Sequence, residues 1–187
     1  MGRVTKKQRW AGAAVVTAVI VGAGLVWFEP WALWVDETVN EALPSAAAPT
    51  ATRTVPTSPS PSTAPTPSVG PTTVARGSFV THEHTTTGTV KIVRLADGTH
   101  TLRLEGLDTS NGPDLRVWLS DAPVKEGKAG WGVFDDGKYV NLARLKGNKG
   151  DQNYPLPADL DLSAYTSVSI WCDRFDVSFG AAEIVRI

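Results

Sequence analysis

Apolar positions are spread unevenly along the chain, and they divide it into segments before any single residue is considered. Trp10 to Phe28 is a run of 19 residues without an ionisable side chain. As a helix rising about 1.5 Å per residue, it nearly matches a hydrocarbon core of about 30 Å. This predicts a membrane-spanning helix over 10–28. After Pro30, Trp31, Trp34, Val35 and Val39 recur at helical spacing, predicting a short amphipathic helix on the membrane surface within 29–43. From Gly77 the period changes to two. Leu102 and Leu104 alternate with Thr101, Arg103 and Glu105; Leu115, Val117 and Leu119 alternate with Arg116 and Trp118; Val168, Ile170 and Cys172 alternate with Ser169 and Trp171. Each pattern predicts a half-buried strand. Asp97-Gly98, Asn111-Gly112-Pro113, Asp136-Gly137 and Asn148-Lys149-Gly150 supply turns, so 77–187 is expected to form an all-β, antiparallel sandwich or barrel-like domain.

Between these parts, residues 44–76 hold 8 Pro and 13 Ser plus Thr among 33 positions. Such a segment has too few apolar groups to offset the entropy of ordering, which predicts a disordered stalk biased toward polyproline geometry, with a composition that suits O-glycosylation. Charge then sets the topology. Arg3, Lys6, Lys7 and Arg9 precede the apolar run, whereas Glu29, Asp36, Glu37 and Glu41 follow it. The positive-inside rule places 1–9 in the cytoplasm and the C-terminal domain outside, with the lipid bilayer as the partner of 10–28. A cleaved secretory signal is the competing reading. The best small-residue cleavage pattern, Ala46 to Ala48, lies far beyond the apolar run, which is itself longer than an h-region of about 7 to 15 residues. Residues 77–187 carry 12 Lys plus Arg against 15 Asp plus Glu, a net of −3 that disfavours nucleic acid as a partner.

The domain contains no Gly-rich phosphate loop, nucleophile elbow, His-Glu-x-x-His or Cys-x-x-Cys, and no catalytic residue is assigned. Asp135-Asp136-Gly137-Lys138 reads as a hairpin turn, and Asp159 with Asp161 as a polar connection without calcium-loop spacing. His82 and His84 stand two apart on an expected strand and so share a face, which makes them weak candidate metal ligands; solvent-facing polar sequence is the blander reading. Cys172 is the only cysteine. Outside the cytoplasm it is a buried inert thiol, an intermolecular partner or a redox-active group. Its phase with Val168 and Ile170 puts it on the apolar face, while the following Asp173 and Arg174 place the sulfur near a sheet rim where it could stay accessible. Trp171 falls on the opposite face, either as an exposed aromatic contact or packed beneath a loop.

Asn111-Gly112-Pro113-Asp114-Leu115, Gly150-Asp151-Gln152-Asn153-Tyr154-Pro155-Leu156-Pro157, Ser169-Ile170-Trp171-Cys172-Asp173-Arg174-Phe175 and Phe179-Gly180-Ala181-Ala182 occur in that order. Together they resemble the DM-thirteen domain family, also called the electron-transfer DM domain, and His84 with Gly88 is similar to its opening motif. The resemblance implies a β-sandwich-like domain in extracytoplasmic or membrane-attached proteins, with a redox or electron-transfer role centred on the cysteine. Two functions follow as expectations. In one, Cys172 changes oxidation state or lies beside an electron-carrying cofactor, with Trp171, Asp173, Arg174 and His84 as neighbours or contacts for a redox partner. The cofactor is unknown, although covalent c-type haem and an Fe–S cluster are excluded by the cysteine count. In the other, the stalk presents a binding or adhesion module to an envelope partner, and Cys172 is a core thiol.

Overall fold

A computed structural model describes residues 6–28, 35–44 and 70–187, with side chains in the N-terminal helix described from Val16 onward. That helix, α1, runs Lys6–Phe28. Residues 1–5 of the expected cytoplasmic segment, 29–34 of the expected interfacial segment and 45–69 of the expected stalk lie outside the described residues. Among the described residues no helix is long and apolar enough to cross a membrane.

The strands are β1 (Thr38–Asn40), β2 (Thr72–Thr81), β3 (Thr87–Arg94), β4 (His100–Asp108), β5 (Leu115–Ser120), β6 (Tyr139–Arg144), β7 (Lys149–Pro155), β8 (Ser167–Cys172), β9 (Val177–Glu183) and β10 (Val185–Arg186). They form one curled, mostly antiparallel half-barrel in the order β1-β7-β4-β3-β2-β9-β8-β5-β6, with β10 beside β2. The curl is made by β2, which pairs with β3 from Thr72 to Ser78 and with β9 from Phe79 to Thr81. Gly77 sits at this changeover, where a Cβ would collide with the Glu183 carbonyl. Curling brings the apolar faces together: Val90, Ile92, Leu102 and Leu104 from one half meet Val117, Leu119, Val168, Ile170 and Cys172 from the other.

The strands expected from alternation over 101–105, 115–119 and 168–172 are present, but β8 is not half-buried: all six of its residues are buried. The chain between β5 and β6 covers the outer face, and Ala122 and Phe134 pack there with Trp118, Trp171 and Ala181 as a second apolar cluster. A covering loop has no period, so alternation could not foretell it.

Residues 35–44 also depart from the expected amphipathic helix. They are extended, and β1 adds to the sheet edge parallel to β7, with Thr38 opposite Lys149 and Asn40 opposite Asp151. Polar partners explain the preference. The Glu37 N–H donates to Asn148 Oδ1 at 2.6 Å, and the Glu41 N–H to the Asp151 carbonyl at 2.9 Å. The Glu41 carboxylate accepts from Lys146 Nζ at 2.7 and 2.9 Å and from the Asn153 N–H at 2.8 Å, while Arg103 Nη1 donates to the Glu41 carbonyl at 2.9 Å. The lysine is the main reason the Glu41 carboxyl stays below its ordinary pKa. Gly147 and Gly150 let the backbones approach, because a Cβ at either would strike the Glu37 or Val39 carbonyl. The folded domain therefore includes 35–44 and resumes at β2, ahead of the boundary expected at Gly77.

Candidate functional site

Cys172 closes β8 with its side chain on the inner face, opposite Leu115 of β5. Its exposure is 0%, so of the open alternatives for its placement the sulfur is buried and not accessible at the rim. Three chain segments enclose it. The turn after β8 folds back through the Phe175 N–H, which donates to the Cys172 carbonyl at 3.2 Å, and the Asp173 N–H donates to the Asp114 carbonyl at 3.0 Å. The loop after β2 arrives through the His82 and Glu83 N–H groups, bonded to the Phe179 and Ser178 carbonyls of β9. Burial pushes the thiol pKa up, and main-chain hydrogen bonds from Arg174, Phe175 and Asp114 pull the other way. The Glu83 carboxylate adds to the rise. The sulfur thus sits in an apolar enclosure where burial outweighs the main-chain hydrogen bonds and favours the neutral thiol.

The expected neighbours take different roles from those foreseen. Arg174 contributes its main chain, whereas its guanidinium lies 5.0 Å from the centre of the Trp27 ring on α1. Asp173 lies 3.9 Å from Arg116, which is held mainly by Asp114 at 2.9 Å. His84 rests on the Phe179 ring with centroids 4.0 Å apart. Trp171, one of the two open alternatives, is packed and not presented: it is 1% exposed and stacks on Trp118.

His82 and His84 lie beyond the end of β2 and are not paired on a strand face. His82 is buried, with Nδ1 2.8 Å from Ser178 Oγ and Nε2 3.0 Å from the Lys125 carbonyl. A carbonyl only accepts, so Nε2 carries the proton and Nδ1 accepts from the Ser178 hydroxyl, which in turn accepts from Ser169 at 2.9 Å. Burial holds the imidazole pKa below its ordinary value despite that carbonyl. Both ring nitrogens are committed to protein, and among the described residues no group of three or more His, Cys, Asp or Glu is placed to hold a metal.

The sequence motifs converge more than their spacing showed. A Cβ on Gly112 would press on the Phe179 ring, and one on Gly180 would press on Thr86, whose hydroxyl bonds Thr109 at 2.7 Å and the Phe179 carbonyl at 3.0 Å. Gly88 has φ +116° and packs against the main chain of Glu105 to Leu107. Four of the five motifs therefore build one end of the half-barrel, around Cys172 and Phe179. The fifth, Gly150–Pro157, forms β7 and holds residues 35–44 instead. Sequence reasoning missed Thr86 and Glu83 as parts of the enclosure, because neither lies near the cysteine in the chain, and gave Asp114 no role beyond its place in a motif.

The family model described as electron transfer DM13 matches residues 78–184. No curated protein and no solved structure matches the chain.

Proposed function

Because the chain belongs to the electron transfer DM13 family, we propose that it is a membrane-anchored redox module, with Cys172 as the group that changes oxidation state. The observation that carries this is the setting of the sulfur: a fully enclosed thiol on the inner face of β8, at the end of the half-barrel where four of the five family motifs meet. A cleft of about 850 Å³ between β2, β3 and the loop at Val124–Glu126 is not lined by Cys172. On this reading the thiol itself is the redox group and exchanges electrons with an envelope partner.

Anchoring by 10–28 is supported by the uncharged run, by its cationic flank, and by Val16, Val19, Ile20, Val21, Leu25 and Val26 standing exposed on α1. A helix that leaves an apolar surface uncovered by protein fits a lipid environment. That topology puts the domain outside the cytoplasm, and the attachment of 35–44 to β7 keeps it close to the outer end of α1.

Full burial of Cys172 favours a second reading, a binding module in which the thiol only packs. Maleimide labelling of folded and unfolded protein, combined with a visible absorption spectrum, separates the two. Labelling of the folded domain, or an absorbing group lost in Cys172→Ala, supports the redox role. A thiol silent until unfolding, in a colourless protein, supports the binding scaffold.

A further inference from the structure

Tyr139 of β6, Trp118 of β5 and Trp171 of β8 stand on three neighbouring strands, on the face opposite the main core. Their rings form a ladder: Tyr139 and Trp118 lie 4.2 Å apart at 8°, and Trp118 and Trp171 lie 4.8 Å apart at 21°. One end is open and the other closed, since Tyr139 is 45% exposed while Trp118 and Trp171 are 4% and 1%. The closed end adjoins Cys172 through one peptide bond. Packing alone explains this poorly. Among the described residues the indole nitrogens of Trp118, Trp131 and Trp171 are buried without a hydrogen-bond partner, whereas a buried indole N–H usually has one; only Trp118 and Trp171 belong to the ladder.

We propose that Tyr139, Trp118 and Trp171 are a one-electron relay between the surface and the interior beside Cys172; this deepens the redox reading and rests on it. An indole that loses one electron becomes a radical cation with a strongly acidic N–H. A hydrogen-bonded acceptor would take that proton and trap the vacancy. Among the described residues Trp118 and Trp171 have no such acceptor, so the proton stays and the vacancy moves between the rings. At the open end the Tyr139 phenol gives one electron to the Trp118 radical cation and its proton to water. This regenerates neutral Trp118 and leaves a neutral tyrosyl radical. The vacancy is created by an outer one-electron oxidant of the radical class, which is reduced to its anion.

Pulsed generation of azide radicals in a solution of the full-length protein tests the relay by transient absorption. Azide radical is reduced to azide as it oxidises tryptophan, and tryptophanyl signal should then convert to tyrosyl signal with a first-order rate independent of protein concentration. Trp118→Phe keeps a stacking ring that is not oxidised in this range and should slow the conversion by at least about tenfold, equivalent to about 1.4 kcal/mol of barrier. Tyr139→Phe, at a half-exposed position that leaves the fold intact, should remove the conversion. A rate unchanged by either substitution overturns the relay. Cys172→Ala is expected to leave the conversion as it is, which keeps the two claims apart: an inert thiol refutes Cys172 as the redox group without touching the relay.

Discussion

Gly150 is where the attachment of residues 35–44 can be broken with one methyl group. It has φ +95°, and the Cβ of an alanine would enter the space of the Val39 carbonyl. Holding a non-glycine residue in left-handed geometry costs about 1–2 kcal/mol. Relieving the collision by pushing β1 off β7 gives up the Lys149-to-Glu37 and Glu41-to-Asp151 main-chain bonds at 3.1 and 2.9 Å, together with the Arg103 and Asn153 bonds to Glu41. At about 0.5–1.5 kcal/mol each, less the conformational entropy regained by the freed strand, the attachment should weaken by about 1–3 kcal/mol. Most of the sheet does not depend on β1, so the loss should be local. Hydrogen exchange reads this directly: in Gly150→Ala the amides of Glu37, Glu41 and Lys149 should lose protection while those of β4 and β8 keep theirs. Protease gives an independent reading. Native protein cut within 45–69 on intact cells should keep its domain at the membrane, held through β1, and Gly150→Ala should release it. Immediate release from the native protein, or unchanged exchange in the variant, would refute the argument.

Three further outcomes follow from the same contacts. Cys172→Ala should cost on the order of 1 kcal/mol or more in urea unfolding, and Cys172→Ser should be worse, since a hydroxyl in that enclosure adds a desolvation cost of about 1–3 kcal/mol; a stable Ser variant would mean the site is wetter than described. His82 titrates below its ordinary pKa of about 6.5, so the unfolded chain binds more protons than the folded one below that pH. Stability should be full above about pH 6.5 and fall as pH drops toward the folded pKa, and His82→Gln should flatten that part of the melting-temperature profile. Arg103→Met should free residues 35–44 as Gly150→Ala does, because its guanidinium joins the Glu41 carbonyl, Asp151 and Asn153.

What the sequence made legible was the part governed by local alternation. β4, β5 and β8 lie where Leu102, Val117 and Ile170 place them, and the phase of Cys172 put it on the inner face. The rest depends on partners distant in the chain. Arg103 alternates like a solvent residue yet is buried, because Glu41 and its neighbours arrive from more than sixty positions away. Trp118 and Trp171 look outward by phase, but the loop between β5 and β6 covers them. His82 is likewise buried by Lys125 and Ser178, neither near it in sequence. The family motifs marked the right residues for the Cys172 enclosure, although they did not show that Arg174 would serve through its main chain and not its charge.

The most direct measurement is voltammetry of the full-length protein on an electrode, with the Cys172→Ala variant run beside it. The native protein should give a reversible wave that disappears in Cys172→Ala, while both proteins remain folded by circular dichroism. A native protein without a wave, or a variant that retains it, would contradict the assignment of Cys172 as the redox group.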